Sequence, residues 1–266
     1  MPSITEVLLI ATLAGCATGL GALPTVFTER ISHRVYDGAL GLAAGIMVGA
    51  SVFALVVPGL ELGSVTEVVT GLLLGGAFLL AANASIPHVH LRFTRHQFEG
   101  TTVFGREPDF ETSEGSDALR RALLVGSAVT IHNVPEGLAI GIAFASGETE
   151  LGIAIATAIA VQNVPDGFAM AVPADQAGVS TPKTILYTTL SGGIPEPVAA
   201  AVGFTLVVLV TGLFPLAAGF AAGAMIAVVF RELVPSSHGH GYADTATATF
   251  LVGFSIMLVV DTVLAV

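Results

Sequence analysis

Two six-residue segments hold the side chains of this chain that are best suited to chemistry. The sequence His-Asn-Val-Pro-Glu-Gly occupies residues 132–137, and Gln-Asn-Val-Pro-Asp-Gly occupies residues 162–167. Because positions i and i+4 share a face of a helix, the first and fifth residues of each segment stack together, with the asparagine beside them. Imidazole, carboxylate and amide groups suit a borderline divalent cation such as Zn²⁺, Fe²⁺, Mn²⁺ or Cd²⁺. The candidate ligands in these segments are His132, Asn133, Glu136, Gln162, Asn163 and Asp166.

A third segment repeats the device further along the chain. Residues 191–197 read Ser-Gly-Gly-Ile-Pro-Glu-Pro, which adds Glu196 to the candidate ligands. Proline removes a helix hydrogen bond and kinks a helix, so Pro135 and Pro165 each leave a backbone carbonyl without its usual partner. Inside a membrane such a carbonyl must be satisfied by protein, water or an ion. The prolines therefore favour the same cation-binding interpretation.

The composition of the chain is typical of an integral membrane protein. Of 266 residues, 53% are hydrophobic and 11% are charged, whereas a soluble domain carries about 25% charged residues. The apolar runs are continuous, which favours helices over a β-barrel. Eight helical spans would use about 160 residues, so we predict a single all-α transmembrane domain over residues 1–266. The net charge of −11 argues against a nucleic-acid partner, and the single cysteine excludes a cysteine metal cage.

Hydropathy predicts where these spans lie and how they are oriented. The eight spans are expected at about 4–27, 38–60, 65–88, 118–145, 151–174, 184–210, 214–236 and 245–265. With this arrangement all nine basic residues fall on one side of the membrane. By the positive-inside rule, both termini lie outside, and the long polar loop at about 89–117 is cytoplasmic. The expected location is the plasma membrane.

Polar side chains at the end of span 7 suggest an exit path from the central site. Glu232, His238 and His240 would lie near the cytoplasmic mouth, where they could receive an outgoing ion. Each intramembrane polar residue also has a plainer interpretation. A single buried His, Asn or Gln often serves to hold helices together, and His238 and His240 could belong to a solvated loop. The repeat of one motif on two neighbouring helices favours the functional interpretation.

The motifs resemble the signature of the ZIP (Zrt/Irt-like) metal-transporter family. The matching stretches are residues 132–137, residues 162–167, Gly-x-Pro-Glu-Pro in span 6 and Glu-Leu-x-Pro-x-x-His at 232–238. The similarity extends over nearly the whole chain, and Gln162 is similar to the GufA-like prokaryotic branch. The resemblance implies a helical bundle with a binuclear centre between spans 4, 5 and 6.

The resemblance also implies how the ligands would divide between two ions. One site would comprise His132, Glu136, Gln162 and Asp166, and the second would comprise Asn133, Asn163 and Glu196, with Glu136 and Asp166 bridging. Asp166 stands where the family commonly has Glu, which shortens its reach. Arg231 stands where some members have His. The long loop also lacks the dense histidine cluster of many eukaryotic members.

The leading functional prediction is a transporter that moves a divalent metal, most simply Zn²⁺, into the cytoplasm through this midplane site. A proton-coupled carrier of another solute is the first alternative, with the acids as a proton relay. An intramembrane metallohydrolase is the second, but the chain has no His-Glu-x-x-His or Gly-x-Ser-x-Gly motif. We expect no enzymatic activity and no organic cofactor. The expected partners are metal ions and the lipid bilayer, and a glycine face at Gly41, Gly45 and Gly49 could pack helices within one chain or in a homodimer.

Overall fold

The computed structural model describes residues 2–27, 32–91, 114–210 and 212–264, and these ranges contain helices and no strand. The ordered polar residues before several helices explain where they start. For example, Ser3 and Glu6 cap the first helix reciprocally, as a capping box does. The helical stretches of the described ranges are α1 (Ile4–Phe27), α2 (His33–Leu62), α3 (Val65–Leu91), α4 (Glu114–Ala145), α5 (Thr149–Gln176), α6 (Thr181–Leu209), α7 (Phe214–Ser237) and α8 (Ala243–Leu264).

Most of these helices are long and apolar enough to cross a bilayer. Seven described stretches meet that condition, in every helix except α4. The apolar described part of α4 is Val129–Ala145, near the lower limit of about 17 residues for a span. The chain is therefore an all-helical, multi-pass membrane protein. The predicted span positions agree with α1 to α8 to within a few residues at most ends, although α2 begins five residues before the expected position 38.

The predicted loop at 89–117 is shorter at both ends than expected. Helix α3 continues to Leu91 and α4 begins at Glu114, so seven of the residues assigned to the loop are helical. Polar and charged residues near a helix end extend the helix beyond its apolar part, which hydropathy cannot detect. The remainder of the predicted loop lies outside the described residues.

The helices form two groups of four. Helix α1 packs against α5 and α6, and α4 packs against α5 and α6, which makes one group. Helix α3 packs against α7, and α2 packs against α8 and α7, which makes the other. We call these the site group (α1, α4, α5, α6) and the outer group (α2, α3, α7, α8). The groups meet mainly where α2 contacts α5 and where α4 contacts α7.

Glycines allow the closest helix approaches inside each group. A Cβ atom added to Gly15 would collide with the backbone of Gly192, and one added to Gly137 would collide with the backbone of Glu196. In the outer group, a Cβ atom on Gly45 would collide with the Phe250 backbone. Small residues let membrane helices pack backbone to backbone. The predicted face at 41, 45 and 49 thus packs against α8 of the same chain, which decides between the two interpretations left open by the sequence.

Four helices are locally irregular. Helix α1 passes from an α-helix (Ile4–Cys16) into a 3₁₀ turn (Ala17–Ala22), and α6 is interrupted at Ile194 between Thr181–Gly193 and Pro195–Leu209. Helices α2 and α7 each contain a wider π-helical segment, and such segments occur often at functional sites. By contrast, α4 and α5 run without interruption through Pro135 and Pro165.

Candidate metal centre

The site group brings the three sequence motifs together. Helices α4 and α5 are neighbours joined by a short connection, and α6 packs along α4 where Gly137 meets the Glu196 backbone. Each candidate ligand of the midplane site is buried, with between 0% and 6% of its surface exposed. These residues are His132, Asn133, Glu136, Gln162, Asn163, Asp166 and Glu196. The fold therefore gathers polar side chains in the interior, where each needs a partner.

Two side-chain hydrogen bonds link the motifs across helices. The Nε2 atom of Gln162 on α5 donates to Oε1 of Glu136 on α4 at 2.6 Å. The Nδ2 atom of Asn163 on α5 donates to Oε1 of Glu196 on α6 at 2.7 Å. Each buried carboxylate thus accepts one bond from an amide of the neighbouring helix. The two pairs tie α5 to both α4 and α6.

The asparagine amides also satisfy backbone carbonyls where helices are irregular. The Nδ2 atom of Asn133 donates to the carbonyl of Ser191 at 2.8 Å, just before the break in α6. The Nδ2 atom of Asn163 donates to the carbonyl of Ala14 at 2.9 Å, just before the 3₁₀ turn of α1. Carbonyls at helix ends lack intrahelical donors. The two asparagines therefore support the irregular backbone with their nitrogens and turn their oxygens elsewhere.

Five buried oxygen atoms of these motifs accept no hydrogen bond from any described residue. They are Oδ1 of Asn133, Oε2 of Glu136, Oε1 of Gln162, Oδ1 of Asn163 and Oε2 of Glu196. A buried oxygen without a donor is costly, and native interiors contain few of them. Oxygens of amides and carboxylates are ordinary ligands of divalent cations. The donor set therefore matches a bound cation better than it matches helix packing alone.

The charges of the centre point to the same chemistry. The carboxylates of Glu136, Asp166 and Glu196 lie close enough together to repel one another electrostatically. Asp166 also interacts with His132 and with Glu232. Buried like charges are unfavourable unless a counter-charge offsets them. A divalent cation would supply that counter-charge.

His132 contacts a carboxylate of the outer group. Its Nε2 atom lies 2.5 Å from Oε2 of Glu232 on α7, and Oε1 of Glu232 accepts a hydrogen bond of 2.8 Å from Nδ2 of Asn83 on α3. The sequence analysis places Glu232 on an exit path, and the structure places its carboxylate directly against the midplane histidine. Asn83 was missed, although it is an amide within an otherwise apolar span, and that is the signal that could have identified it.

The candidate ligands do not converge on one point. In the part of the chain that the structure describes, no three His, Cys, Asp or Glu side chains form a group able to hold a metal ion. The reason lies in their present partners, since His132 contacts Glu232 while Glu136 and Glu196 accept bonds from amides. Side chains must therefore exchange partners before an ion can be held.

The two histidines after α7 have different surroundings. His238 is exposed, and its Nδ1 atom lies 3.0 Å from the carbonyl of Val234 on its own helix. The Nδ1 atom of His240 lies 2.8 Å from Oδ1 of Asp37, a residue with 0% exposure, and its ring stacks on His33 with centroids 4.4 Å apart. The sequence analysis missed the Asp37–His240 pair because the two residues are 203 positions apart.

Comparison with known proteins adds independent information. The family model for ZIP zinc transporters matches residues 95–261. The chain is 36% identical over 263 residues to "Zinc transporter GufA" of Myxococcus xanthus, covering 96% of this chain and 97% of the relative. It is 36% identical to "Zinc transporter ZIPB" of Bordetella bronchiseptica, covering 93% and 78%. It is 33% identical to "Zinc transporter ZupT" of Corynebacterium glutamicum, covering 92% and 94%.

Proposed function

The chain belongs to the ZIP zinc-transporter family and transports divalent metal cations, and we propose that it carries them into the cytoplasm through the buried centre on α4, α5 and α6. The observation that carries the proposal is the set of five buried amide and carboxylate oxygens that accept no hydrogen bond from described residues. Zn²⁺ is the preferred candidate, because an imidazole and carboxylates suit it and because the relatives carry zinc in their names. Fe²⁺, Mn²⁺ and Cd²⁺ have similar ligand preferences.

We propose that the ligands serve two ions. His132, Glu136, Gln162 and Asp166 would hold the first ion, and the side chains of Asn133, Asn163 and Glu196 would hold the second. The close pairs support this division, because Gln162 already contacts Glu136 and Asn163 already contacts Glu196. Glu136 and Asp166 would bridge, since both interact electrostatically with a second carboxylate of the centre.

The proposed topology has eight spans, with both termini outside and the connection between α3 and α4 in the cytoplasm. The apolar part of α4 would complete the eighth span, and one transmembrane domain would cover residues 1–266. Helices α3 and α8 would face the lipid, because only 22% and 17% of their most apolar windows are buried. The plasma membrane is the proposed location, as expected for uptake.

Alternating access fits the division into two helix groups. Backbone contacts through glycine interlock the helices inside each group, whereas side chains such as Tyr36 and Phe168 meet where α2 contacts α5. Side-chain contacts can re-form after a shift more readily than interlocked backbones can separate. The site group, which includes α4 and α5, would therefore move as a unit and expose the ion first outside and then inside. His238 and His240 remain candidates for the exit path.

We propose that the protein is not an enzyme and needs no organic cofactor. Transport of another solute with protons is the alternative that the buried acids favour. A homodimer would have to use a surface other than Gly41, Gly45 and Gly49, which pack against α8.

Calorimetry with Zn²⁺ on detergent-solubilised protein tests the proposal. We expect saturable binding of two ions per chain that is lost in Glu136→Ala. His238→Ala is the matched control, because this exposed ring bonds within its own helix end, and it should bind as the unmodified protein does. A folded protein that gives no saturable heat would contradict metal binding and favour the proton-coupled alternative.

A further inference from the structure

Asn83, Glu232 and His132 form a chain of polar contacts across the boundary between the helix groups. Asn83 and Glu232 belong to the outer group, and His132 belongs to the site group. The Asn83 amide holds one oxygen of Glu232 at 2.8 Å, and the other oxygen lies 2.5 Å from Nε2 of His132. Exposed fractions of 7% for the His132 side chain and 22% for that of Glu232 keep this contact largely away from water. The contact therefore joins the two groups at the centre itself.

The contact and a bound ion make competing demands on one atom. An imidazole nitrogen either carries a proton that it shares with an acceptor or offers its lone pair to a metal, but it cannot do both. A metal would lie about 2.0 Å from that nitrogen, in the space that the Glu232 oxygen occupies at 2.5 Å. Binding of an ion at Nε2 of His132 thus requires Glu232 to leave.

We propose that Glu232, held in place by Asn83, is a latch that competes with the transported ion for His132. The inference rests on the proposed function of the buried centre. With the latch closed, the site group is fastened to the outer group and His132 is occupied. The arriving ion displaces Glu232, which frees the site group to move. Asn83 acts as a positioning residue, since its hydrogen bond aims the Glu232 carboxylate at His132 and it makes no contact with the ion.

The latch predicts that a weaker grip on Glu232 tightens metal binding. The apparent affinity of a site is reduced by the fraction of molecules that are not competent to bind. Loss of a hydrogen bond to a charged group opens the latch enough for a roughly ten-fold gain in affinity. We therefore expect Asn83→Ala to bind Cd²⁺ or Zn²⁺ about ten-fold more tightly than the unmodified full-length protein in calorimetry. Thr70→Ala, an exposed change on the same helix, should leave affinity unaltered.

A second variant separates a competitor from a ligand. Glu232→Gln removes the charge while keeping the shape of the side chain, so it should also bind metal more tightly if Glu232 competes for His132. Weaker binding in Glu232→Gln would overturn the latch, because it would make Glu232 a ligand of the ion. Unchanged affinity in both folded variants would overturn it as well. The absence of saturable binding in the unmodified protein is a different result, which would overturn the proposed function and the latch with it.

Discussion

The close approach of α4 and α6 at Gly137 gives the sharpest test of how the fold builds its centre. A Cβ atom added at Gly137 would lie 2.7 Å from Cα of Glu196 and would also collide with the Glu196 carbonyl oxygen. Ordinary van der Waals contact begins near 3.4 Å. In Gly137→Ala the two helices must therefore separate locally by at least about 0.7 Å, because well-packed atoms cannot overlap.

This shift is large compared with what a metal site tolerates. Ligand distances in metal sites are held to about 0.2 Å, and disturbing the residues that orient ligands costs about 10- to 100-fold in metal affinity. Glu196 lies in the first turn of its helical segment, so its carboxylate would move with the backbone. We expect Gly137→Ala to bind Zn²⁺ 10- to 100-fold more weakly, although it changes none of the candidate ligands.

The assay is Zn²⁺ calorimetry on detergent-solubilised protein, with Gly126→Ala as the control. Gly126 lies on the same helix, but a Cβ atom there would meet the flexible end of Met170, with Cε at 3.1 Å. Because Ala favours a helix over Gly, the control should fold at least as well and bind normally. Wild-type affinity in Gly137→Ala would refute the argument that the α4–α6 approach positions Glu196.

Three further changes should have distinct outcomes. Asp166→Asn removes one of the mutually repelling carboxylates, so the melting temperature of the metal-free protein in detergent should rise by a few degrees, roughly 1 kcal/mol, while Zn²⁺ uptake falls; a lower melting temperature would contradict the repulsion. Gln162→Ala takes away the donor to Glu136 and should cost about 1–3 kcal/mol of stability as well as Zn²⁺ affinity, whereas unchanged thermal unfolding would show that this bond contributes nothing. His240→Ala leaves the buried Asp37 without its partner and should lower stability by about 3–5 kcal/mol with Zn²⁺ affinity retained; a loss of affinity without destabilisation would assign His240 to the ion path instead.

Local sequence signals were enough to predict the helices and the ligands of the site. Apolar runs determine where α1 to α8 lie, because hydrocarbon admits only long apolar helices. The repeated motif on α4 and α5 could be identified because its polar residues stand out in apolar surroundings. The burial of His132, Glu136 and Asp166 agrees with that reasoning.

Contacts between distant parts of the chain could not be predicted in the same way. The partner of His132 is Glu232, and the donor to Glu232 is Asn83, 149 residues away in sequence. No periodicity or motif connects these positions, because α3 meets α7 only after both groups have assembled. The use of both asparagine nitrogens for the carbonyls of Ser191 and Ala14 likewise depends on irregular backbone that propensity does not reveal.

Zn²⁺ uptake into liposomes that contain the purified protein is the most direct test of the central claim. A zinc-sensitive dye inside the vesicles would report uptake by the unmodified protein, by Glu136→Ala and by Glu61→Ala, an exposed carboxylate outside the centre. We predict saturable uptake that is lost in Glu136→Ala and retained in Glu61→Ala. Equal uptake by all three proteins would contradict a transport route through the buried centre on α4, α5 and α6.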